Sequence, residues 1–283
     1  MAVTRNCLIC GKPPVILGAR YSQSFLAKCR DCNLVFSSLI PSEDELHQHY
    51  SQYSRNADVS QLTTSVYDTW IQNWRQKGYS THLDFGCGSG DLVDYANRQG
   101  FDSVGIEINL EVNEKIAKRG IPVKSLDSIL IQPETYDVIT IIEVIEHVCD
   151  PKSILEALYK KLSKNGIVFI TSPNFNSLNR YLLKNKWRAL WYPDHINIFN
   201  KSSIERILFN SGFSNVHVKT SGHIILDLIP NQVEGSKSNS FSIENQRNFY
   251  ARNNHTRKLK EILNQVLNWT KLGDTLVVTA TKE

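Results

Sequence analysis

The 283-residue chain has no stretch approaching the ~18 consecutive apolar residues that a membrane-spanning helix requires. It also lacks a charged start followed by an apolar run of the kind that directs secretion. These two absences argue against a membrane span and make a cytoplasmic location the expectation. Excess charge of one sign is scarce as well. The 32 Lys and Arg residues against 28 Asp and Glu leave a formal charge of +4, spread along the chain apart from "RKLKE" at 257–261. A nucleic-acid footprint would concentrate basic residues on one face, so nucleic acid is not the expected partner. With 41% hydrophobic and 21% charged residues, the chain can bury an ordinary globular core plus an accessory module.

Six cysteines without a secretory start argue for metal ligation or reduced thiols rather than disulfides. Four of them, Cys7 and Cys10 in "CLICG" and Cys29 and Cys32 in "CRDCN", form a C-x2-C-x18-C-x2-C array. Each knuckle turns two thiolates to one side, and two knuckles close a tetrahedral sulfur shell with no position left for water. The expectation is a structural zinc ribbon over residues 1–40. Such a short segment cannot build a core of its own, so zinc should supply much of its folding energy and its loss should loosen residues 1–40 first.

Residues 41–78 read as a helical linker or cap over the site. "PSEDELHQHYSQYSR" has a capped start, and "SQLTTSVYDTWIQNWRQKG" spaces its aromatics helically. Tyr50, Tyr53, Tyr67, Trp70 and Trp74 are expected to serve packing. From residue 79 to 283, short β-branched runs alternate with amphipathic segments, the pattern of a parallel sheet with crossover helices. Strands are expected at "THLDFG", "SVGIEIN", "PVKS", "YDVITIIEV", "GIVFITSP", "NVHVKTS" and "TLVVTATK", and "PKSILEALYKKLSKNG" reads as helix throughout.

After the first of these strands comes "LDFGCGSGD", whose Gly86, Gly88 and Gly90 permit a tight turn and close approach of a ligand to the backbone. The next strand ends at Glu107, seventeen positions after Gly90, where a carboxylate can accept ribose hydroxyls. The spacing is G-x-G-x-G rather than the G-x-G-x-x-G of dinucleotide enzymes.

"LDFGCGSGD", "GIEIN", "YDVITIIEVIEHVCDP" and "GIVFITSPN" resemble successive motifs of class I S-adenosylmethionine (SAM) methyltransferases. They are most similar to the subgroup of ubiquinone-pathway O-methyltransferases, over roughly residues 80–220. The zinc ribbon is similar to that of methyltransferases in sugar, surface-polysaccharide and secondary-metabolite pathways. The resemblance implies an α/β, Rossmann-like seven-stranded sheet closed by "GDTLVVTATKE" as a reversed edge strand. It implies that Asp84, Gly86, Cys87, Gly88 and Gly90 line the methionine part of SAM, that Glu107 holds the ribose, that Ile108 packs on adenine, and that Leu126 and Asp127 meet the adenine edge. Cys87 is expected to be a packing residue.

In the same likeness Glu143 faces the sulfonium region, with Glu146 and His147 at the approach to the next helix. Glu146 could instead cap that helix, and His147 could pack against its neighbours. Ubiquinone-pathway and small-RNA 2'-O-methyltransferases share the E-x-x-E-H pattern and a later His, matched here by His195. In those groups the residues can bind a divalent cation, so Glu143, Glu146, His147 and His195 form a candidate second metal site. Without a cation, His195 or His147 would act as general base, with Glu143 beside them. The segment 174–200, with Tyr181, Trp187, Trp191 and Tyr192, is expected to be a lid over the acceptor. Residues 221–271 are expected to form a flexible loop and helical insertion. The expected reaction is O-methylation of a small molecule in a sugar, polysaccharide or secondary-metabolite pathway. Alternatives are C- or N-methylation, RNA methylation with the ribbon as RNA binder, or a zinc-dependent scaffold without activity.

Overall fold

The computed structural model describes residues 5–18, 25–42, 45, 61–190, 192–222 and 265–283. Tyr50, Tyr53, Trp191, most of the first linker helix and the polar stretch 223–264 lie outside these described residues. Of that helix the structure shows the opening pair, in which Ser42 Oγ accepts from the Glu45 amide and the Glu45 carboxylate accepts from the Ser42 amide. This is the reciprocal cap expected from Pro-Ser-x-x-Glu.

The N-terminal ribbon contributes β1 (Val15–Ile16), β2 (Leu26–Lys28) and β3 (Val35–Ser37). Helix α1 (Gln61–Gln76) leads into the main sheet. Then β4 (Thr81–Phe85), α2 (Asp91–Arg98), β5 (Asp102–Ile106), α3 (Leu110–Lys118), β6 (Val123–Lys124) and α4 (Leu126–Ile131) form one half of a doubly wound layer. The other half holds β7 (Tyr136–Ile142), α5 (Pro151–Lys161), β8 (Leu162–Pro173), α6 (Leu178–Leu183), β9 (Asn197–Ile198), α7 (Lys201–Asn210), β10 (Ser214–Ser221) and β11 (Thr275–Thr281).

The seven-stranded sheet has the order β10-β11-β8-β7-β4-β5-β6, with β11 antiparallel to both neighbours and the pairs from β8 to β6 parallel. The expected architecture is present, with two corrections. The last strand is reversed but is not an edge. Val278 pairs with both Ile170 and Val218, so β11 lies inside and β10 forms the border. Nor does the α5 segment stay helical through "LSKNG". Leu162 is fully buried and pairs with Tyr136, drawing the chain into β8 four residues before Gly166.

Alternate residues of β11 are buried, as a sheet with an apolar face requires. Ile71 and Trp74 of α1 pack with Ala96, Phe101, Val138 and Ile167. The largest core is shared. Cys7, Ile9, Ala27, Cys29, Cys32, Leu34 and Phe36 of the ribbon belong to one cluster with Leu155 and Leu158 of α5 and Ile204, Ile207 and Leu208 of α7. The ribbon's sheet is completed by β9, where Val35 pairs with Ile198 and Phe36 with Asn197. The ribbon is therefore packed into the domain rather than appended to it.

Candidate functional site

Strand β4 lies between β5 and β7, and the chain runs outward from it in both directions. The carboxyl ends of β4, β5 and β7 therefore converge on a topological switch point, where doubly wound sheets bind ligands. The loop after β4 occupies that point. The amides of Gly86 and Cys87 both donate to Ile106 O, at 2.8 and 2.9 Å, which bends the loop over β5. Gly86, Gly88 and Gly90 all have positive φ. They differ in surroundings. A Cβ on Gly86 would lie 2.5 Å from Val144 Cγ2, and one on Gly90 would lie 2.9 Å from Ile116 Cγ2, whereas one on Gly88 would meet nothing within 4 Å. Gly86 and Gly90 are glycines for packing, and Gly88 leaves open space for a ligand.

Glu107, just past β5, accepts the Gly88 amide at 3.0 Å on Oε2 and the Asn109 amide at 2.8 Å on Oε1. These two bonds fix the carboxylate at the loop while each oxygen keeps a lone pair for a ribose hydroxyl. Ile108 beside it is 74% exposed, as a residue awaiting a flat ligand would be. Leu126 and Asp127 open α4 behind the Ser125 cap, with Asp127 exposed. Cys87 is buried with its thiol against Gly105, and burial pushes its pKa up, so it is a packing residue and not a nucleophile.

Asp84 is buried at the end of β4 and anchors a polar chain through the sheet. Thr140 Oγ1 lies 2.5 Å from Asp84 Oδ1, His82 Nε2 lies 2.9 Å from Thr140 Oγ1, and His82 Nδ1 lies 2.7 Å from Ser103 Oγ. With Asp84 ionised, an acceptor-only carboxylate makes Thr140 the donor. Thr140 must then accept from His82 Nε2–H, and Nδ1 accepts from Ser103. The chain thus sets the tautomer of His82. Burial pushes His82 down to about 3 and Asp84 up to about 6, the latter aided by the charge of Glu107 and opposed by Thr140.

On the other side of the switch point, the stretch after β7 turns before any helix begins. Glu143 has a left-handed backbone, φ 53°, and its amide donates to Thr171 O at 3.0 Å. Glu146 does not cap the following helix. Asp150 does, accepting the Ser153 amide at 3.1 Å with Pro151 in the first turn. Glu146 instead turns inward, 1% exposed, and neither carboxylate oxygen has a hydrogen-bond partner among the described residues. Burial pushes its pKa up, reinforced by Glu143 and opposed by His147.

Glu146, His147 and His195 come together, one ligand atom of each lying within 4.8 Å of the others, and Glu143 stands outside that group. His147 Nε2 is 3.8 Å from Glu146 Oε1, and the two imidazoles meet edge to face at 4.7 Å between centroids. His147 Nδ1 lies 2.6 Å from Asp194 O, and His195 Nδ1 lies 3.1 Å from Ala189 O. A carbonyl only accepts, so each neutral ring carries its proton on Nδ1 and its lone pair on Nε2. Burial alone would lower the pKa of His147, but the hydrogen bond to Asp194 and the charges of Glu146 and Asp194 raise it. Two Nε2 lone pairs beside a buried carboxyl can take a proton from an acceptor or hold a divalent cation.

The four ribbon cysteines lie within 4.8 Å of one another, with Cys10 Sγ and Cys29 Sγ 3.6 Å apart. Bonds of 2.3 Å to a tetrahedral zinc ion would set sulfur pairs about 3.8 Å apart. The residue after each knuckle, Gly11 and Asn33, has positive φ, and its amide donates to the carbonyl of Cys7 or Cys29. Donor set, spacing and turns all fit zinc.

Several of the described residues of segment 174–200 pack into the domain. Trp187 is buried with Phe175, Leu190 and ribbon residues Leu26 and Val35, and its Nε1 donates to Asp274 at 3.2 Å. Arg180 is buried over the Phe175 ring at 4.1 Å. Tyr181 is exposed, and Tyr192 meets Phe25 edge-on at 5.4 Å. Sequence reasoning did not single out His82, Thr140, Asp194, Asn197 or Arg5. His82 and Thr140 left a signal, each a polar residue inside a buried strand.

A family profile described as a methyltransferase domain matches residues 47–218. A protein named ubiquinone biosynthesis O-methyltransferase from Aliivibrio fischeri (strain MJ11) is 35% identical over 103 residues, 33% of this chain and 44% of its own length. One of the same name from Pseudomonas putida (strain W619) is 34% identical over 144 residues, covering 47% and 59%. The chain thus spans about half the length of the curated relatives it matches. A crystal structure of a SAM-dependent methyltransferase from Archaeoglobus fulgidus superposes with a TM-score of 0.54 at 18% identity, over 85% of this chain and 100% of that one. That likeness concerns the fold.

Proposed function

From a chain that belongs to the methyltransferase-domain family, we propose SAM-dependent methyl transfer to a small-molecule acceptor, with a hydroxyl oxygen as nucleophile. The observation that carries this reading is the adjacency of two half-sites at one switch point. The Asp84–Gly90 loop with Glu107 forms a nucleoside and amino-acid cradle, and the Glu146–His147–His195 group forms a proton-accepting centre on the loop after the neighbouring strand β7, which meets the cradle where Val144 packs on Gly86. SAM, when bound, supplies a methyl carbon on a sulfonium leaving group. Gly88 admits that ligand to the backbone, and Glu107 takes the ribose hydroxyls. Nε2 of His195 or His147 takes the acceptor proton as its oxygen attacks the methyl carbon. Because displacement needs no covalent enzyme intermediate, positioning carries most of the rate. Transfer to carbon or nitrogen uses the same cradle, and the relatives' name favours oxygen.

A second reading rests on Glu146, a buried carboxyl without a hydrogen-bond partner among the described residues. Glu146, His147 and His195 would hold a divalent cation, which would lower the pKa of a bound acceptor hydroxyl. We also assign a structural zinc to Cys7, Cys10, Cys29 and Cys32, which bulk metal analysis of purified protein would check. The pathway expectation of sugar, polysaccharide or secondary-metabolite chemistry rests on the ribbon's likeness alone.

Calorimetry with SAM and its product S-adenosylhomocysteine tests the main reading. Wild type should bind both. Glu107→Ala should weaken binding by about 1–3 kcal/mol, the loss of charge-assisted hydrogen bonds; unchanged affinity would remove Glu107 from the site. A manganese anomalous map with bound product separates the readings at the second half-site. A peak at Glu146, His147 and His195 favours the cation, and none at full product occupancy leaves His195 as the base.

A further inference from the structure

Arg5 stands two residues before the first ribbon cysteine, yet it reaches the acceptor centre. It is 7% exposed, and four neutral oxygens take its N–H groups. Nε donates to Ser37 O at 2.8 Å, Nη2 to Ile196 O at 2.7 Å and Asn197 Oδ1 at 3.0 Å, and Nη1 to Cys149 O at 3.4 Å. Its flat face lies over the Phe36 ring at 5.1 Å. Burying a cation on neutral acceptors is costly, and an apolar side chain of similar volume would pack a ribbon as well or better. What an apolar residue cannot do is bind three chain segments at once with a rigid fork of donors.

Two of those segments carry the centre. Glu146 O accepts from the Ile196 amide at 3.0 Å and from the Asn197 amide at 2.9 Å. Asn197 Nδ2 donates to Val148 O at 2.7 Å, and Ser37 N donates to Ile196 O at 2.8 Å. His147 and His195 are the neighbours of these tied positions, and His147 is itself tied to Asp194. Arg5 crosses from the loop after β7, through Cys149 O, to the strand after His195, through Ile196 O and Asn197, and fastens both to β3.

We propose that Arg5 is a positioning residue that fixes Glu146, His147 and His195 relative to one another, so that the N-terminal ribbon is part of the acceptor centre. This deepens the proposed function and rests on that centre being the acceptor side. The ribbon's cysteines form a group separate from the centre; Arg5 and the β3–β9 pairing transmit the ribbon's order to it. The geometry also predicts that the donor half is untouched, since none of the Arg5 contacts reaches the Gly86–Gly90 loop or Glu107.

The test uses the full chain with its metal. In Arg5→Met, exchange of the Ile196 and Asn197 amides should quicken at least about tenfold, as local opening becomes easier, and the imidazole nitrogen resonances of His147 and His195 should shift. Product affinity should stay within about twofold, and Arg5→Lys, which keeps a cation but not the fork, should give intermediate exchange. Wild-type exchange and resonances in a folded Arg5→Met overturn the proposal, as does a loss of product affinity as large as the change in exchange, which would mean general scaffolding. If Arg5→Met does not fold, Arg5→Lys, which loses the fork but leaves the Asn197 bond to Val148 in place, carries the test. Shifted histidine resonances with unchanged product affinity then support the proposal, and an unaltered spectrum overturns it. Wild type that fails to bind product would instead refute the methyltransferase reading, leaving the exchange result to judge Arg5 separately.

Discussion

The two proposed half-sites at the sheet edge are built in opposite ways. The donor cradle is local: Gly86 and Cys87 bond Ile106, Gly88 bonds Glu107, and Glu107 bonds Asn109, all within one β-α-β unit. The acceptor centre is assembled from afar. His147 meets Asp194 across 47 positions, Arg5 meets Cys149 across 144, and Arg5 meets Ile196 across 191. A local cradle needs only its own turn chemistry and neighbouring strands. A centre made from distant segments needs the whole fold, the ribbon included, and one change in a distant segment can disturb it while the cradle still binds.

The sharpest way to break this comparison is to disable the zinc site proposed for the ribbon. Cys29 is buried in the core shared with α5 and α7. Cys29→Ser should therefore destabilise on the order of 5 kcal/mol, a fraction of the folding energy a structural zinc supplies. The loss should spread from the ribbon into β9. A single cooperative melt shifted well below wild type is the expected outcome. A small early transition with the main one unmoved would show that the ribbon is a separate unit and the halves are independent.

A smaller effect separates packing from binding inside the cradle. Gly86→Ala places a methyl 2.5 Å from Val144 at positive φ. Overpacking and the left-handed cost together should take about 2–4 kcal/mol of stability. Gly88→Ala meets no atom within 4 Å, so it should lose only about 1–2 kcal/mol of stability. Its product affinity should nonetheless fall tenfold or more, because the methyl fills the space left for ligand. Thermal melts and calorimetry on both variants check this, and a Gly88→Ala that binds like wild type would place the ligand elsewhere.

The same division explains which features are legible in the amino-acid sequence alone. The cradle's residues, Asp84 to Asn109, are close neighbours along the chain and their types follow from their local duties, so the loop, Glu107 and the strand pattern are legible. So are the four cysteines, because their spacing is the one a zinc site would need. The inward turn of Glu146 is not, since an acidic residue near a helix start is the ordinary sign of a cap, and only the position of Asp150 shows that the cap lies elsewhere. Arg5 carries no legible signal, because most of its partners are carbonyls, which every residue possesses. The internal place of β11 is hidden as well. Its alternating pattern shows one buried face, but only pairing with both Ile170 and Val218 shows that it has two neighbours.

A last effect, graded by pH, probes the polar chain that supports the cradle from within. His82 lies between Ser103 and Thr140, stacks at 5.3 Å on Trp74, and is neutral in the fold because burial pushes its pKa down to about 3. The unfolded chain takes up this proton near pH 6.5, so the unfolded state binds more protons as pH falls. His82 therefore costs the fold up to about 1.4 kcal/mol per pH unit between 6.5 and 3. Asp84 acts in the other direction. Its pKa is raised to about 6, so the folded state keeps its proton longer, and stability drawn from it at low pH is lost as pH rises from about 4 to 6. Across that window the two groups offset each other. His82→Gln keeps an N–H for Thr140 but removes the titration, leaving Asp84 alone. Urea midpoints from pH 4 to 7 should then show the variant gaining on wild type by about 1 kcal/mol per pH unit as the solution is acidified. Parallel pH profiles for the two proteins would mean that His82 titrates in the fold as it does in the unfolded chain; its protonated ring would then donate from both nitrogens, and only the Ser103 bond would reverse.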